Sequence, residues 1–278
     1  MYHLPLEKTC ALAAESGFDG IELVSGPETW LRRPATIEAI GRRWGLTIYS
    51  VHQSLLSFTP RGRGPWRMLE AVELALALGC PRVVIHDHGA LRWADPSAQT
   101  WLRILNRCRE MLSGSPTRLA LENPGVYSAA GRRNPLASAP VLADFARRYD
   151  LDVTLDTCHV GTPGTALLAT YEALRDRLAN VHLSDLKIVA TPAPARAYKT
   201  LFLHHQLPGE GILPLAALLA RMHAEGFGGP ITLEPSPAAL QAWSPGRLRA
   251  RLAQAIAFVR AAETSALPIS TSIVSHPA

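Results

Sequence analysis

The stretch Leu151-Asp152-Val153-Thr154-Leu155-Asp156-Thr157-Cys158-His159 decides the fold. Apolar and polar residues alternate from Leu151 to Leu155, which marks a β-strand. The strand ends on a carboxylate, and an imidazole follows three residues later. The pattern recurs along the chain. Glu22, His52, His86, Glu122, Asp156, His182 and Glu234 each close a short apolar run, at intervals of 30, 34, 36, 34, 26 and 52 residues. Stacked strand–helix units have this period, because two parallel strands need a crossover of a dozen or more residues between them.

The segments between these runs have helical apolar spacing. Helices are expected over Leu6–Ser16, Pro34–Trp44, Pro65–Leu78, Ser97–Leu112, Pro140–Tyr149, Gly164–Leu178, Ile212–Glu225 and Pro245–Thr264. Seven strands alternating with helices define a parallel α/β fold. Polar groups at every strand end point to a barrel, which gathers its site at the C-terminal face of the strands. The rival is a doubly wound open sheet with a glycine-rich phosphate loop. The sequence contains neither Gly-x-Gly-x-x-Gly nor Gly-x-x-x-x-Gly-Lys-Ser/Thr. Only Met1 to Pro5 precede the first helix, so the barrel's first strand is expected to be lacking or shortened. Residues 1–264 are expected to form one domain, followed by a disordered tail of small and polar residues over 265–278.

Bulk properties narrow the function. The net charge of +5 comes from 28 basic and 23 acidic residues with no polybasic block. That describes a solvated surface and makes nucleic acid an unlikely partner. The four cysteines, at 10, 80, 108 and 158, form no Cys-x-x-Cys, which argues against a disulfide framework or a structural zinc site. No apolar run approaches the roughly 18 residues of a membrane span. The start shows no basic stretch followed by an apolar one. A soluble protein of the cytoplasm is expected.

Glu122, Asp156, His182 and Glu234 directly follow apolar strands, so a barrel would aim all four at one axial pocket. Three carboxylates and an imidazole repel one another there unless a cation is present. Oxygen ligands with one nitrogen suit one divalent ion such as Mn, Mg, Co or Zn. Glu122 and Glu234 can also exchange a proton with a carbon beside a carbonyl. His159 is a candidate contact for substrate oxygens or for a second metal. His52, His86 and His88 also sit at strand ends facing the pocket. Lys187 can reach a hydroxyl or phosphate. The long connection from Lys187 to Gly211 contains His204, His205 and Gly209-Glu210-Gly211, which marks it as a functional loop and adds His205 and Glu210 to the substrate contacts. Glu22 reads equally well as a structural carboxylate and as a substrate contact. Cys158 is not read as a nucleophile, because its neighbours are better explained as metal ligands. Trp66, Trp93 and Trp101 are read as packing residues.

Six short motifs in this order resemble the xylose isomerase-like barrels, the sugar phosphate isomerase/epimerase superfamily that includes the apurinic-site endonucleases. They are Gly17-Phe18-Asp19-Gly20-Ile21-Glu22-Leu23, Glu122-Asn123-Pro124, Leu155-Asp156-Thr157-Cys158-His159, Val181-His182-Leu183-Ser184-Asp185, Pro208-Gly209-Glu210-Gly211 and Thr232-Leu233-Glu234-Pro235. The resemblance implies a (β/α)8 TIM barrel with one divalent metal held by Glu122, Asp156, His182 and Glu234. It implies His159 as a substrate contact, and Glu122 and Glu234 as the acid/base pair on opposite faces of the substrate. In the multi-metal endonucleases an aspartate stands where this chain has Leu203, which speaks against a full three-metal site. The implied activity is isomerisation or epimerisation of a ketose, sugar phosphate or related polyol through an enediolate. The alternatives are a dehydratase or lyase on the same scaffold, an endonuclease-like hydrolase, and a non-catalytic sugar-binding barrel. A homo-oligomer is compatible with each of them.

Overall fold

Among the described residues, seven parallel strands make the sheet that carries everything else. They are β1 (Gly20–Val24), β2 (Thr47–His52), β5 (Arg82–Ile85), β6 (Arg118–Glu122), β7 (Asp152–Asp156), β8 (Leu178–Leu183) and β9 (Ile231–Leu233), and they neighbour one another in that order. A two-stranded antiparallel hairpin, β3 (Phe58–Thr59) and β4 (Gly62–Arg63), stands apart in the loop after β2. This computed structural model describes residues 4–56, 58–59, 62–90, 92–128, 131–187 and 203–265. The expected tail beyond Ser265 and the middle of the expected functional loop, 188–202, lie outside the described residues.

Burial explains why the strands are short apolar runs. Val83, Val84 and Ile85 are fully enclosed, as are Leu121, Val153, Leu155, Val181 and Leu183. Each such side chain contributes about 1.5–3 kcal/mol when removed from water. Helices cover the outer face, and their apolar stripes complete one large core with the strands. The helix Trp66–Leu78 shows how a sequence signal ends an element. Gly79 follows it at φ +60, and its N–H closes back onto Leu76 O at 3.2 Å. A side chain is strained in that conformation and glycine is not.

The helix spacing is reproduced with shifted ends. The expected helix over Gly164–Leu178 is confined to Leu167–Leu174, with a 3-10 turn at Arg175–Arg177, and β8 already begins at Leu178. The expected surface loop at 126–138 contains two 3-10 turns, Gly131–Arg133 and Pro135–Ala137. A short helix at Pro27–Trp30 has no periodic signal behind it, being a single turn.

The barrel is nearly closed. Among the described residues no strand pair joins β9 to β1. The first helix, α1 (Leu6–Glu15), and the last, Pro245–Ser265, cover that seam. Leu12 packs with Leu248, Leu252 and Ala255, with Leu4, Phe18 and Leu233 against them. Arg249 pairs with Glu15 at 3.0 Å, and Arg260 donates to Gly17 O at 3.3 Å.

Candidate functional site

The strand ends are brought together by register. Asp156 on β7 lies directly opposite His182 on β8, and Glu122 on β6 pairs with Thr154. Glu234 follows β9 and donates its N–H to Leu183 O at 3.1 Å. Two small polar side chains fasten these ends. Asn123 exchanges hydrogen bonds with the Asp156 backbone, Nδ2 to O at 3.1 Å and Asp156 N–H to Oδ1 at 2.7 Å. Thr157 does the same one strand on: its hydroxyl donates to Ser184 O at 2.6 Å and accepts from Ser184 N–H at 3.0 Å. Residues following the two carboxylates therefore set the spacing of the carboxylates themselves.

Glu122, Asp156 and His182 are all buried and place ligand atoms within 4.8 Å of one another. Glu234 Oε2 lies 3.1 Å from His182 Nδ1. Three of these atoms are enclosed without an aligned hydrogen-bond partner: Asp156 Oδ2, His182 Nδ1 and Glu234 Oε2. Asp156 uses its other oxygen, Oδ1, to cap the short helix Thr157–Gly161 through the His159 N–H. Buried polar atoms are almost always paired. Orphans converging from three strands, two oxygens and one nitrogen, fit a divalent cation.

Electrostatics agree. Burial opposes the charge on Glu122, but His86 and His182 outweigh it and hold the carboxyl well below its usual range. Burial likewise opposes ionisation of Glu234, and His182 beside it pulls that group down to about 2. Asp156 is pushed up, chiefly by burial, against His159 and His205. His182 is driven well above the ordinary imidazole value by Glu22, Glu234 and Glu122, despite its burial. Without a cation, histidine protons balance the carboxylates.

His159 stands beside this group. Its Nδ1 is 3.0 Å from Glu122 Oε1 and 3.3 Å from Asp156 Oδ2. Burial works against its charge, but Asp156 and Glu122 lift it to about 10. The folded value exceeds the ordinary 6.5, so the stabilisation this proton gives is complete below 6.5 and lost as pH rises toward 10. The metal-free protein should therefore melt at progressively lower temperature from pH 7 to 10. His159→Gln should flatten that slope, and an unchanged slope would remove His159 as its source.

The other candidates divide. His52 is enclosed, with Nε2 3.3 Å from Glu122 Oε2, and His86, partly exposed, has Nε2 3.2 Å from the same oxygen. His205 turns toward His159, ring centroids 5.5 Å apart. It does so with φ +49, a conformation that costs a non-glycine residue about 1–3 kcal/mol. The N–H of Ser236 bonds to its carbonyl, and its own N–H to Cys158 Sγ. Burial pushes the Cys158 thiol well up, consistent with a packing cysteine. Lys187 and Glu210 pair at 3.4 Å, and Glu210 also meets Arg251 of the last helix, lining a polar cavity of about 310 Å³ with Gln206 and Gln241. His88 packs against Trp93 and Trp101, at 4.9 and 5.5 Å between centroids. Trp101 is buried as expected, whereas Trp66 is about half exposed. Tyr127, which the sequence did not single out, stands edge-on to His159 at 5.9 Å. Glu22 reaches across the barrel to His182, with Oε1 3.0 Å from Nε2.

The family model described as xylose isomerase-like TIM barrel matches residues 10–262. The chain belongs to this family. An uncharacterised protein of Mycobacterium tuberculosis is 28% identical over 280 residues, covering 94% of each chain. The barrel is similar to a xylose isomerase domain containing protein of Salmonella typhimurium, with TM-score 0.68, 17% identity, and 92% and 93% of the two chains covered. It is also similar to D-allulose 3-epimerase of Methylomonas sp. in complex with D-allulose, with TM-score 0.67, 17% identity, and 92% and 90% covered. Among the described residues no helix is long and apolar enough to cross a membrane.

Proposed function

We propose that this barrel is a divalent-metal-dependent isomerase or epimerase of a ketose, sugar phosphate or related polyol. The observation that carries the reading is the convergence of Asp156 Oδ2, His182 Nδ1 and Glu234 Oε2, enclosed and without an aligned hydrogen bond, beside Glu122. These four residues would hold one Mn, Mg, Co or Zn ion. Such an ion supplies positive charge against the negative charge that develops on substrate oxygens when a neighbouring carbon loses its proton. Glu122 and Glu234 reach the pocket from β6 and β9, with β7 and β8 between them, which suits removal of a proton by one and its return by the other. His159 donates to substrate oxygens from the rim. The Methylomonas neighbour is named for epimerising a ketose at carbon 3, which supports a substrate of that class.

Metal analysis combined with solvent-deuterium exchange over a panel of ketoses tests the proposal. One equivalent of metal and incorporation of deuterium at the carbon beside the carbonyl are expected. A protein that takes up no metal on reconstitution and exchanges no substrate proton would overturn it.

A second reading, a multi-metal hydrolase, has one observation in its favour. His52 Nε2, His86 Nε2 and Glu122 Oε2 form a triangle with sides of 3.1 to 3.3 Å. Asp156, His159 and His205 make a further ligand-capable group. Leu203 is buried, and its side chain cannot act as a ligand. Two or three metals per chain, with phosphodiester cleavage, would favour this reading over the first.

A further inference from the structure

We propose that Glu22 is a positioning residue: it fixes the orientation and proton placement of His182, and through them the affinity of the pocket for a divalent cation. The inference rests on the metal-site reading above.

His182 is fully buried and uses its two ring nitrogens differently. Nε2 faces Glu22 Oε1 at 3.0 Å, and Nδ1 faces Glu234 Oε2 at 3.1 Å and Glu122 Oε2 at 3.5 Å. A carboxylate on Nε2 holds a proton on that nitrogen, so Nδ1, which faces the pocket carboxylates, is the nitrogen that would give up its proton to a cation there. With Glu22 absent, either nitrogen could carry the proton and the ring could turn.

Glu22 is itself held. The Ser50 hydroxyl donates to Oε2 at 2.6 Å, and Asn180 Nδ2 donates to the same oxygen at 3.2 Å. Asn180 is fixed in turn, its Oδ1 accepting from Thr232 Oγ1 at 3.2 Å. This polar chain runs inside the barrel through β1, β2, β8 and β9. Glu22, Ser50 and Asn180 are all buried or nearly so, and the metal-site reading gives none of them a catalytic task. A buried carboxylate on a single histidine nitrogen, supported by two donors, has the geometry of a ligand-orienting partner.

The competing explanation is structural. In it, Glu22 only ties β1 to β8 near the seam where no described strand pair joins β9 to β1. Two readouts separate the explanations in Glu22→Gln, which keeps the size and one acceptor, and in Ser50→Ala, which removes only the support. The first is the buried His182 Nε2–H in metal-free, ¹⁵N-histidine-labelled full-length protein. A downfield, slowly exchanging imidazole resonance is expected in the parent, absent in His182→Gln, and moved upfield or lost in Glu22→Gln. The second is zinc affinity by chelator competition. Loss of about 10–100-fold is expected for Glu22→Gln, and a smaller loss for Ser50→Ala. A lowered melting temperature with resonance and zinc affinity unchanged in both variants would overturn the proposal. A parent protein that binds no zinc would sink the metal reading instead. The resonance would still decide whether Glu22 positions His182.

Discussion

Glu122→Gln should cost at least about 100-fold in the rate of substrate proton exchange, the lower end of what a positioned acid/base group contributes. Glu122 is the most heavily engaged side chain of the pocket. Oε1 faces His159, while Oε2 faces His52, His86 and His182 at 3.2 to 3.5 Å. The glutamine keeps the shape but removes the basic oxygen that takes the proton. It also removes the negative charge that keeps several imidazoles close together, and it turns an amide N–H₂ toward donors. Metal affinity should fall together with the exchange rate. Exchange measured by mass spectrometry, in protein whose metal content is determined in parallel, checks this. A variant that retains more than about a tenth of the parent rate would remove Glu122 from the proton-transfer role.

Asp185→Ala should destabilise the fold by about 3–5 kcal/mol, the range for breaking a buried charged network. Asp185 is fully enclosed, and its carboxylate receives four backbone N–H groups. Leu186 and Leu213 donate to Oδ1 at 2.8 and 3.0 Å, and Gly209 and Gly211 to Oδ2 at 3.0 and 2.9 Å. Alanine would leave all four without an acceptor, and each orphaned donor costs about 1–3 kcal/mol before the loop relaxes. The close approach also explains Gly211: a Cβ there would lie 2.3 Å from both Asp185 Oδ1 and Leu186 O. Asp185 further exchanges backbone hydrogen bonds with Gln206, the residue after His205. The site should therefore loosen together with the fold. The urea midpoint measures the stability, and a loss under about 1 kcal/mol would show that the loop is held by other contacts.

The motif containing Asp185 shows where reading the sequence succeeds. Val181-His182-Leu183 is legible as a strand with a functional residue because burial on both faces demands an apolar run, and the pocket demands a polar group at its end. Asp185, two residues further on, carries no periodic signal. Its task depends on Gly209, Gly211 and Leu213, which the chain brings back more than 20 residues later. Asn123 and Thr157 are similar. Each sits inside a motif, but what each does follows from the register of adjacent strands. Lys187 and Glu210 are expected from the sequence as substrate contacts; the fold pairs them with each other, and Glu210 also with Arg251. Only the packing of the last helix brings Arg251 there.

Glu22 is the sharpest case. Its strand end and its carboxylate are plain, yet its partner lies 160 residues away on β8, beyond the seam between β9 and β1. The sequence by itself determined the strand–helix period, the parallel class, and the seven polar strand ends, because burial and helix geometry act over a few residues at a time. Tertiary structure alone decided which of those ends meet, which atoms are left without an aligned hydrogen bond, and which nitrogen of His182 faces the pocket. Those outcomes depend on strand register and barrel curvature, which place atoms to within an ångström and leave no trace in local residue pattern.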